Sequence, residues 1–273
     1  LQMKIAACLS GQLGSFRRTY NNQRQMFLEE NQCDVFALTS NAVSQRVNMN
    51  LHYPPSTPVY EYLPNIKWYK SYPRPYGIIY NTDERALKYL IGATYGDTLK
   101  ELRILDESAK ESLNDIRLST KWDWMRKRQL NKMYECNKLM HKHEKENNTK
   151  YDIVIRARFD IALARKINVE QIISNHDNIE NKLFGVGGFP CTPPNVFMKE
   201  FLCDGFAFGT PEVMDIYTGL YEQEKPYPHL EEYNNYHSQW GEHVESQLRT
   251  HLERNGIEIV HIIDERKDYQ IIR

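Results

Sequence analysis

The sequence lacks both a long apolar run and an excess of charge of either sign. No stretch approaches the roughly 18 consecutive apolar residues of a membrane-spanning helix, so we expect no membrane span. Lys and Arg number 35 against 36 Asp and Glu, which gives a net charge of −1. Proteins that bind nucleic acids usually carry a basic surplus. We therefore expect no nucleic-acid partner.

Cysteine is scarce, and its spacing fits no zinc motif. Cys8 and Cys203 lie inside apolar runs, where a free thiol behaves as a small core side chain. The apolar start of the chain is too short for a signal peptide. These features predict a reducing, cytoplasmic location. Leu1 and Gln2 precede Met3, and we expect them to be a cloning remnant.

Several catalytic signatures are missing as well. The sequence contains no Gly-x-Ser-x-Gly elbow, no P-loop, and no kinase or zincin motif. We therefore do not expect a serine hydrolase, a P-loop enzyme or a metalloprotease.

Proline is concentrated in one region. Six of the 12 prolines lie between positions 54 and 75, interleaved with tyrosine and tryptophan. Because proline lacks a backbone donor, no central strand or long helix is expected there. The aromatic rings either form a wall on which sugars stack or hold the loop against the protein body, and the sequence leaves both readings open.

Elsewhere, strand-like and helix-like segments alternate. This alternation predicts an α/β fold with a mixed, mainly parallel sheet flanked by helices. Thr210 and Pro211 are typical of a helix start. The predicted strands cover about 4–9, 34–39, 151–160, 203–209 and 257–260. The predicted helices cover about 15–31, 83–115 with a break near Gly96, 121–146 and 238–254, and a Gly/Pro loop covers about 185–194.

The predicted strand over 151–160 carries the most unusual pattern. Its odd positions, 153 to 159, are all apolar and predict a core face, whereas its even positions include Arg156, Arg158 and Asp160. Charges on a central strand are costly unless they are paired or bind a ligand. The even face is therefore either an Arg–Asp ladder that braces the sheet or an anion and metal site at the strand end.

The turn after the first predicted strand is a second candidate anion site. Ser10, Gly11 and Gly14 precede a helix, and such turns can bind phosphate through free backbone N–H groups. Arg17 at the helix start favours an anion. A Gly-x-x-Gly spacing is also common in ordinary tight turns, so that alternative stays open.

Two further segments combine charge with a helical pattern. On the predicted helix before strand 151–160, Arg128 and Lys132 are one turn apart, and they either lie on a solvated face or clamp an anion. Near the C-terminus, Glu242 and Glu245 begin a helix just after Trp240. Acids in a first turn complement the helix dipole, which explains one of them without a catalytic role.

Together these segments resemble nucleotide-sugar glycosyltransferases with a GT-A-like fold, of the small exostosin-like group in large DNA viruses and bacterial polysaccharide clusters. The resemblance implies one glycosyltransferase domain over residues 3–273, with a nucleotide-binding part up to about 165 and an acceptor part beyond it. A viral member would work in the host cytoplasm. The matching segments are 5–12, 151–160, 204–209 and 240–245 with Gly256.

The resemblance also assigns roles to individual residues. Asp160 would hold a divalent cation, Mn²⁺ or Mg²⁺, on the donor diphosphate, although no Asp-x-Asp motif is present. Glu245 is the first choice for the catalytic base, with Glu242 and Asp204 next. The expected nucleotide-sugar contacts are Ser10, Gly11, Gln12, Arg17, Arg128, Lys132, Arg156, Arg158 and Trp240.

The implied reaction is a single displacement at the anomeric carbon. A carboxylate would deprotonate a glycan acceptor, and cationic groups would stabilise the departing nucleoside diphosphate, with a UDP-sugar as the expected donor. Two alternatives remain from other classes: a non-catalytic carbohydrate-binding protein, and a nucleotidyltransferase-type enzyme that would release pyrophosphate.

Overall fold

Apolar runs of the sequence form the strands of a seven-stranded sheet. The computed structural model describes residues 3–13, 16–45, 67–68, 78–81, 83–106, 126–187, 202–227, 244–264 and 269–271. The strands of this sheet are β1 (Ile5–Ser10), β2 (Asp34–Ser40), β6 (Leu99–Leu105), β7 (Ile153–Ala157), β9 (Lys182–Gly187), β10 (Leu202–Gly209) and β11 (Glu258–Asp264).

Shorter strands form two small sheets beside it. β3 (Ala42–Gln45), β4 (Lys67–Trp68) and β5 (Ile78–Asn81) pair in the order β3-β5-β4, and β8 (Ile161–Leu163) pairs with β12 (Tyr269–Ile271). The helices are α1 (Phe16–Gln23), α2 (Glu84–Tyr95), α3 (Asn131–Asn147), α4 (Val169–Ile173), α5 (Pro211–Gly219) and α6 (Val244–Arg254). None of the helices in the described ranges has the length and apolar character needed to cross a bilayer.

The strand order defines where a ligand is expected to bind. In space the order is β11-β9-β10-β7-β1-β2-β6, and β10 alone runs against the other six. The predicted α/β fold with a mixed, mainly parallel sheet is therefore confirmed. The chain moves outward from β1 in one direction through β2 and in the other through β7. Open α/β sheets bind ligands at the carboxyl ends of the strands beside such a switch point.

Both faces of the sheet are covered, as a mainly parallel sheet requires. One face packs against α1, α2 and α4, and the other packs against α3, α5 and α6. The odd positions of β7 and Phe159 lie in the first core, as predicted. The even side chain Val154 lies in the second core, so the polar character of this face begins only at Arg156.

Three predicted elements need correction. Residues 99–105 form strand β6 and not the end of a helix, because Gly96, with φ of +54°, ends α2 and the segment then pairs with β2. Gly185 and Gly187 lie in β9 and not in a loop. The predicted strand 151–160 ends at Ala157, so Arg158 and Asp160 lie beyond its carboxyl end.

Other predictions hold, and some fall outside the described residues. Thr210 caps α5 through Val213 N–H, and Gly256, with φ of +73°, follows α6. Cys8 and Cys203 are buried as predicted. The larger part of the proline-rich segment, Gly14, residues 121–125, 188–194, 238–243 and with them Trp240 and Glu242 lie outside the described residues.

Candidate functional site

Most of the described site residues predicted from the sequence meet at the carboxyl ends of the central strands. β1 ends at Ser10 and β7 ends at Ala157, next to Arg158. β10 runs in the opposite direction, so its first residues, including Asp204, lie at this same edge. The backbone N–H of Arg158 donates to the Gly205 carbonyl at 3.0 Å, which joins the two segments directly.

Arg158 connects two carboxylates at this edge. Its Nε and Nη2 atoms donate to the two oxygens of Asp160 at 2.8 and 2.6 Å. Its Nη1 atom lies 3.5 Å from Oδ1 of Asp204. The second oxygen of Asp204 accepts from the side-chain amide of Gln129. Asp204 is only 2% exposed, so these partners offset the cost of burying its charge.

A break in strand pairing positions Asp204. The register between β10 and β9 shifts between Leu202 and Ala207, and Asp204 and Gly205 lie in this irregular segment. Irregular segments of this kind redirect side chains and are frequent beside active sites. Here the irregularity places the carboxylate toward Arg158 and the carbonyl of Gly205 toward Arg156.

Arg156 differs sharply from Arg158. Arg156 is 2% exposed, and within the described residues its one hydrogen bond runs from Nη1 to the Gly205 carbonyl at 3.3 Å. Its Nε atom is buried and has no partner among those residues. Within the described ranges, no carboxylate lies within ion-pair distance of this guanidinium. A buried cation with a single long bond to a neutral carbonyl is strongly under-compensated.

Tyr217 on α5 lies in the same buried region. It is fully buried, and its hydroxyl has no hydrogen-bond partner in the part of the chain that the structure describes. Burial raises the pKa of Tyr217 well above its usual range, Arg156 lowers it, and Asp204 and Glu245 raise it further. The hydroxyl therefore lies within electrostatic reach of all three charged side chains.

The turn after β1 offers polar groups and open space. The hydroxyl of Ser10 is buried, and no described residue forms a hydrogen bond with it. Gly11 has φ of +140°, which favours glycine, and no atom of the described residues lies within 4 Å of the position that a Cβ would take. The N–H of Gly11 donates to the Leu38 carbonyl at 3.2 Å, so it is not one of the free backbone donors that the sequence predicted for this turn. Gln12 follows and is half-buried.

Three of the predicted basic residues lie on helical segments and not on the strands. Lys132 at the start of α3 is 3% exposed, so it does not belong to a solvated face. Arg128, in the π-helical turn Arg126–Leu130 before α3, and Arg17 on α1 are both half-buried. All three make contacts within the protein. None of the contacts between described residues joins them to Arg158 or Asp204, and their assigned roles stay predictions.

Glu245 lies in the first turn of α6, as predicted, and is half-buried. α6 packs against β10 and α5, and Glu245 is close enough to Tyr217 to contribute to the raised pKa of its hydroxyl. Val244, Leu248 and Leu252 form its buried face, also as predicted. The other proposed base, Glu242, lies outside the described residues.

The carboxylates that could bind the expected divalent cation already have partners within the protein. Both oxygens of Asp160 already accept hydrogen bonds from Arg158, and Asp204 is shared between Arg158 and Gln129. Within the described part of the chain, no three His, Cys, Asp or Glu side chains form a metal-binding group. The carboxylates here fit a guanidinium better than a metal ion, and the role of Asp160 as a metal ligand stays an untested prediction.

Sequence reasoning missed Gln129 and Tyr217. Gln129 stands among basic residues, and its amide contacts Asp204, which is 75 positions away in the chain, so no local pattern pointed to it. Tyr217 is spaced like an ordinary apolar residue of α5, four positions after Val213. Its unsatisfied hydroxyl is visible only once α5 is packed against β7 and β10.

Comparison with known proteins adds no relative to this description. No protein-family model matches the chain, and no curated protein gives a significant sequence match.

Proposed function

We propose that the chain is a glycosyltransferase that moves a sugar from a nucleotide sugar, with UDP as the carrier, to a glycan hydroxyl. The observation that carries this proposal is the buried guanidinium of Arg156, which has no carboxylate partner among the described residues. It lies one residue before the carboxyl end of β7, beside the switch point of the sheet. A ligand with negative charge would complete this site.

A diphosphate suits the rest of the edge. Ser10 follows Leu9, which pairs with Ala157, so continuing the register places Ser10 opposite Arg158. The unpartnered hydroxyl of Ser10, the guanidinium groups and the open space at Gly11 thus occupy neighbouring positions. Hydroxyl and guanidinium groups together bind phosphate oxygens well. We also propose that the fold is GT-A-like, because a mixed sheet flanked by helices agrees with that fold.

The reaction we propose is a single inverting displacement. Arg156 and Arg158 stabilise the charge that develops on the departing nucleoside diphosphate. Glu245 accepts the proton of the acceptor hydroxyl as that oxygen attacks the anomeric carbon. Glu245 is favoured over Asp204 because Asp204 is buried and already accepts from Gln129 and lies against Arg158.

The test is a thermal-shift and product screen against a panel of nucleotide sugars. We expect UDP to raise the melting temperature, and mass spectrometry to detect free UDP together with a glycosylated acceptor. A carbohydrate-binding protein would ignore the nucleotide and respond to glycans alone. A nucleotidyltransferase would release pyrophosphate instead of UDP, and either result would refute the proposal.

A further inference from the structure

The side chain of Arg158 lies between two acidic groups, in the arrangement that a bound cation usually adopts. We infer that its guanidinium is the resident cation of this site, occupying the place between Asp160 and Asp204 that a divalent metal would otherwise take. The inference rests on the proposed function only for its last step, in which Arg158 meets the leaving diphosphate.

The contacts show why Arg158 suits this place. Its fork binds both oxygens of Asp160, at 2.8 and 2.6 Å, and reaches Asp204 with its remaining terminal nitrogen at 3.5 Å. Arginine favours such planar, two-pronged binding of carboxylates, and it stays charged at any working pH. Lysine is a compact point charge and lacks the planar fork with which Arg158 binds both oxygens of Asp160.

The backbone of Arg158 is held on both sides. Its N–H donates to Gly205 at 3.0 Å, and its carbonyl accepts from the buried amide of Gln23 at 2.9 Å. The same amide donates to the Ile161 carbonyl at 3.1 Å, which fixes the turn that contains Asp160. These backbone contacts fix the turn from which the side chains of Arg158 and Asp160 meet, and a metal ion placed between the two carboxylates would have to displace the guanidinium.

The local charge leads to the same conclusion. Asp160 and Asp204 contribute two negative charges, and Arg158 and Arg156 contribute two positive charges. Among the described residues, the charges of this cluster are therefore balanced, and they offer no surplus of negative charge to attract a divalent cation. A diphosphate would instead meet two guanidinium groups, of which Arg156 has no carboxylate partner among the described residues.

The test measures Mn²⁺ binding directly, by the loss of the electron paramagnetic resonance signal of free Mn²⁺, with no nucleotide present. We expect no binding by the wild-type protein. We expect Arg158→Ala to gain Mn²⁺ binding, because Asp160 and Asp204 lose their shared cation. Arg85→Ala, which removes a highly exposed arginine, is the matched control and should behave as wild type.

A second measurement follows UDP affinity by calorimetry in EDTA and in Mn²⁺. The wild-type affinity should be the same in both. Arg158→Ala should bind UDP about ten- to hundredfold more weakly in EDTA, the loss expected for a hydrogen bond to a charged group. Mn²⁺ should restore part of this loss in the variant only.

Three results would overturn the inference. The first is Mn²⁺ binding by the wild-type protein that Asp160→Asn abolishes, and this needs no Arg158 variant to fold. The second is a folded Arg158→Ala variant that gains no Mn²⁺ binding. The third is UDP binding by the wild type that requires Mn²⁺. If UDP does not bind at all, the proposed function fails, and the measurement without nucleotide still decides which cation occupies the site.

Discussion

The pairing of polar groups differs between the two ends of the parallel strands. The amino ends of these strands are called the amino edge here, and their carboxyl ends the carboxyl edge. At the amino edge, Lys4 N–H donates to Asp152 at 2.7 Å, and the Tyr151 hydroxyl donates to Asp34 at 2.8 Å. Lys100 adds an ion pair to Asp34 at 3.2 Å. At or near the carboxyl edge, four buried polar atoms have no hydrogen-bond partner among the described residues: Ser10 Oγ, Thr39 Oγ1, Arg156 Nε and Tyr217 Oη. Unpartnered atoms are not confined to this edge, since Asn137 Oδ1 is another, although the amide of Asn137 donates to Asp215.

We interpret the paired groups at the amino edge as stabilising the fold, and the unpaired groups at the carboxyl edge as serving ligand binding. An unsatisfied buried polar group costs about 1–3 kcal/mol, so a fold keeps several of them in one region only if something offsets that cost. The amino edge shows that this chain can pair such groups where pairing serves stability. We therefore expect substitutions at the amino edge to lower stability, and substitutions at the carboxyl edge to lower ligand binding or turnover.

The largest expected effect is on the proposed base. Glu245→Gln should lower the rate of sugar transfer about 10²- to 10⁴-fold, the usual contribution of a general base. UDP affinity and melting temperature should stay unchanged. Glu253→Gln, on the exposed side of the same helix, is the matched control.

Parallel variants decide between the candidate bases. If Glu245→Gln transfers sugar normally while Asp204→Asn does not, the base is Asp204. If these two and Glu242→Gln all stay active, a carboxylate base at this site is wrong.

The next largest effect concerns Arg156. Arg156→Met should reduce transfer about 10²- to 10³-fold, the loss typical of a removed transition-state donor. The melting temperature should stay equal or rise, because methionine fills similar space without a buried charge. Arg103→Met, which removes an exposed ion pair with Glu135, serves as the control.

A large loss of stability would contradict this expectation. Arg156 would then act as a structural brace, as in the ladder alternative, and the unpaired groups at the carboxyl edge would lose their functional interpretation. Melting curves and UDP titrations on the same samples separate the two outcomes.

Much of the carboxyl edge could be predicted from the sequence, but the exact ends of its strands could not. Strand periodicity identified the core face of β7, because every second residue is apolar there. It extended the strand to Asp160, because nothing local marks the turn at Arg158. Strand β6 was missed, since residues 99–105 are rich in leucine and charged residues that also favour helices. Only its pairing with β2 makes this segment a strand.

The pairing of the charged groups was beyond sequence reasoning for a different reason. Arg156 and Arg158 have the same spacing pattern, so the sequence offered one interpretation for both. Their difference arises from the irregular segment of β10, which gives Arg158 a carboxylate and gives Arg156 a carbonyl. Such irregularities depend on contacts between distant segments and leave no local pattern.

At the amino edge, Tyr151→Phe should lower the free energy of unfolding by about 1.5 to 3 kcal/mol, because its hydroxyl donates to a charged carboxylate. UDP binding should not change. Urea unfolding followed by circular dichroism measures the loss.

Tyr217→Phe is the matched control for this variant, because it removes the same atom from another buried tyrosine. The Tyr217 hydroxyl has no partner among the described residues, so Tyr217→Phe should leave the free energy of unfolding unchanged or raise it by up to about 1–3 kcal/mol. Equal losses in the two variants would remove the contrast between the two edges.

The smallest expected effect is a pH dependence within the paired network of the amino edge. Glu144 accepts from Tyr151 N–H at 2.9 Å and contacts His141, and His141 also contacts Asp215 at 2.6 Å. The hydrogen bond to Asp215, followed by that to Glu144, raises the pKa of His141 to about 9, against partial burial, which lowers it.

Because the folded pKa lies above the unfolded value of about 6.5, the protonated imidazole stabilises the folded state. This contribution is complete below pH 6.5 or so, declines as the pH rises and is lost above about 9. It should amount to less than about 1 kcal/mol, because His141 and Asp215 are each at least a third exposed. Urea unfolding at pH 6 and 9.5 or so should show a larger loss for wild type than for His141→Gln. An equal loss in both proteins would place the pH dependence elsewhere, and a change in UDP affinity in the variant would mean that the paired edge also supports the ligand site.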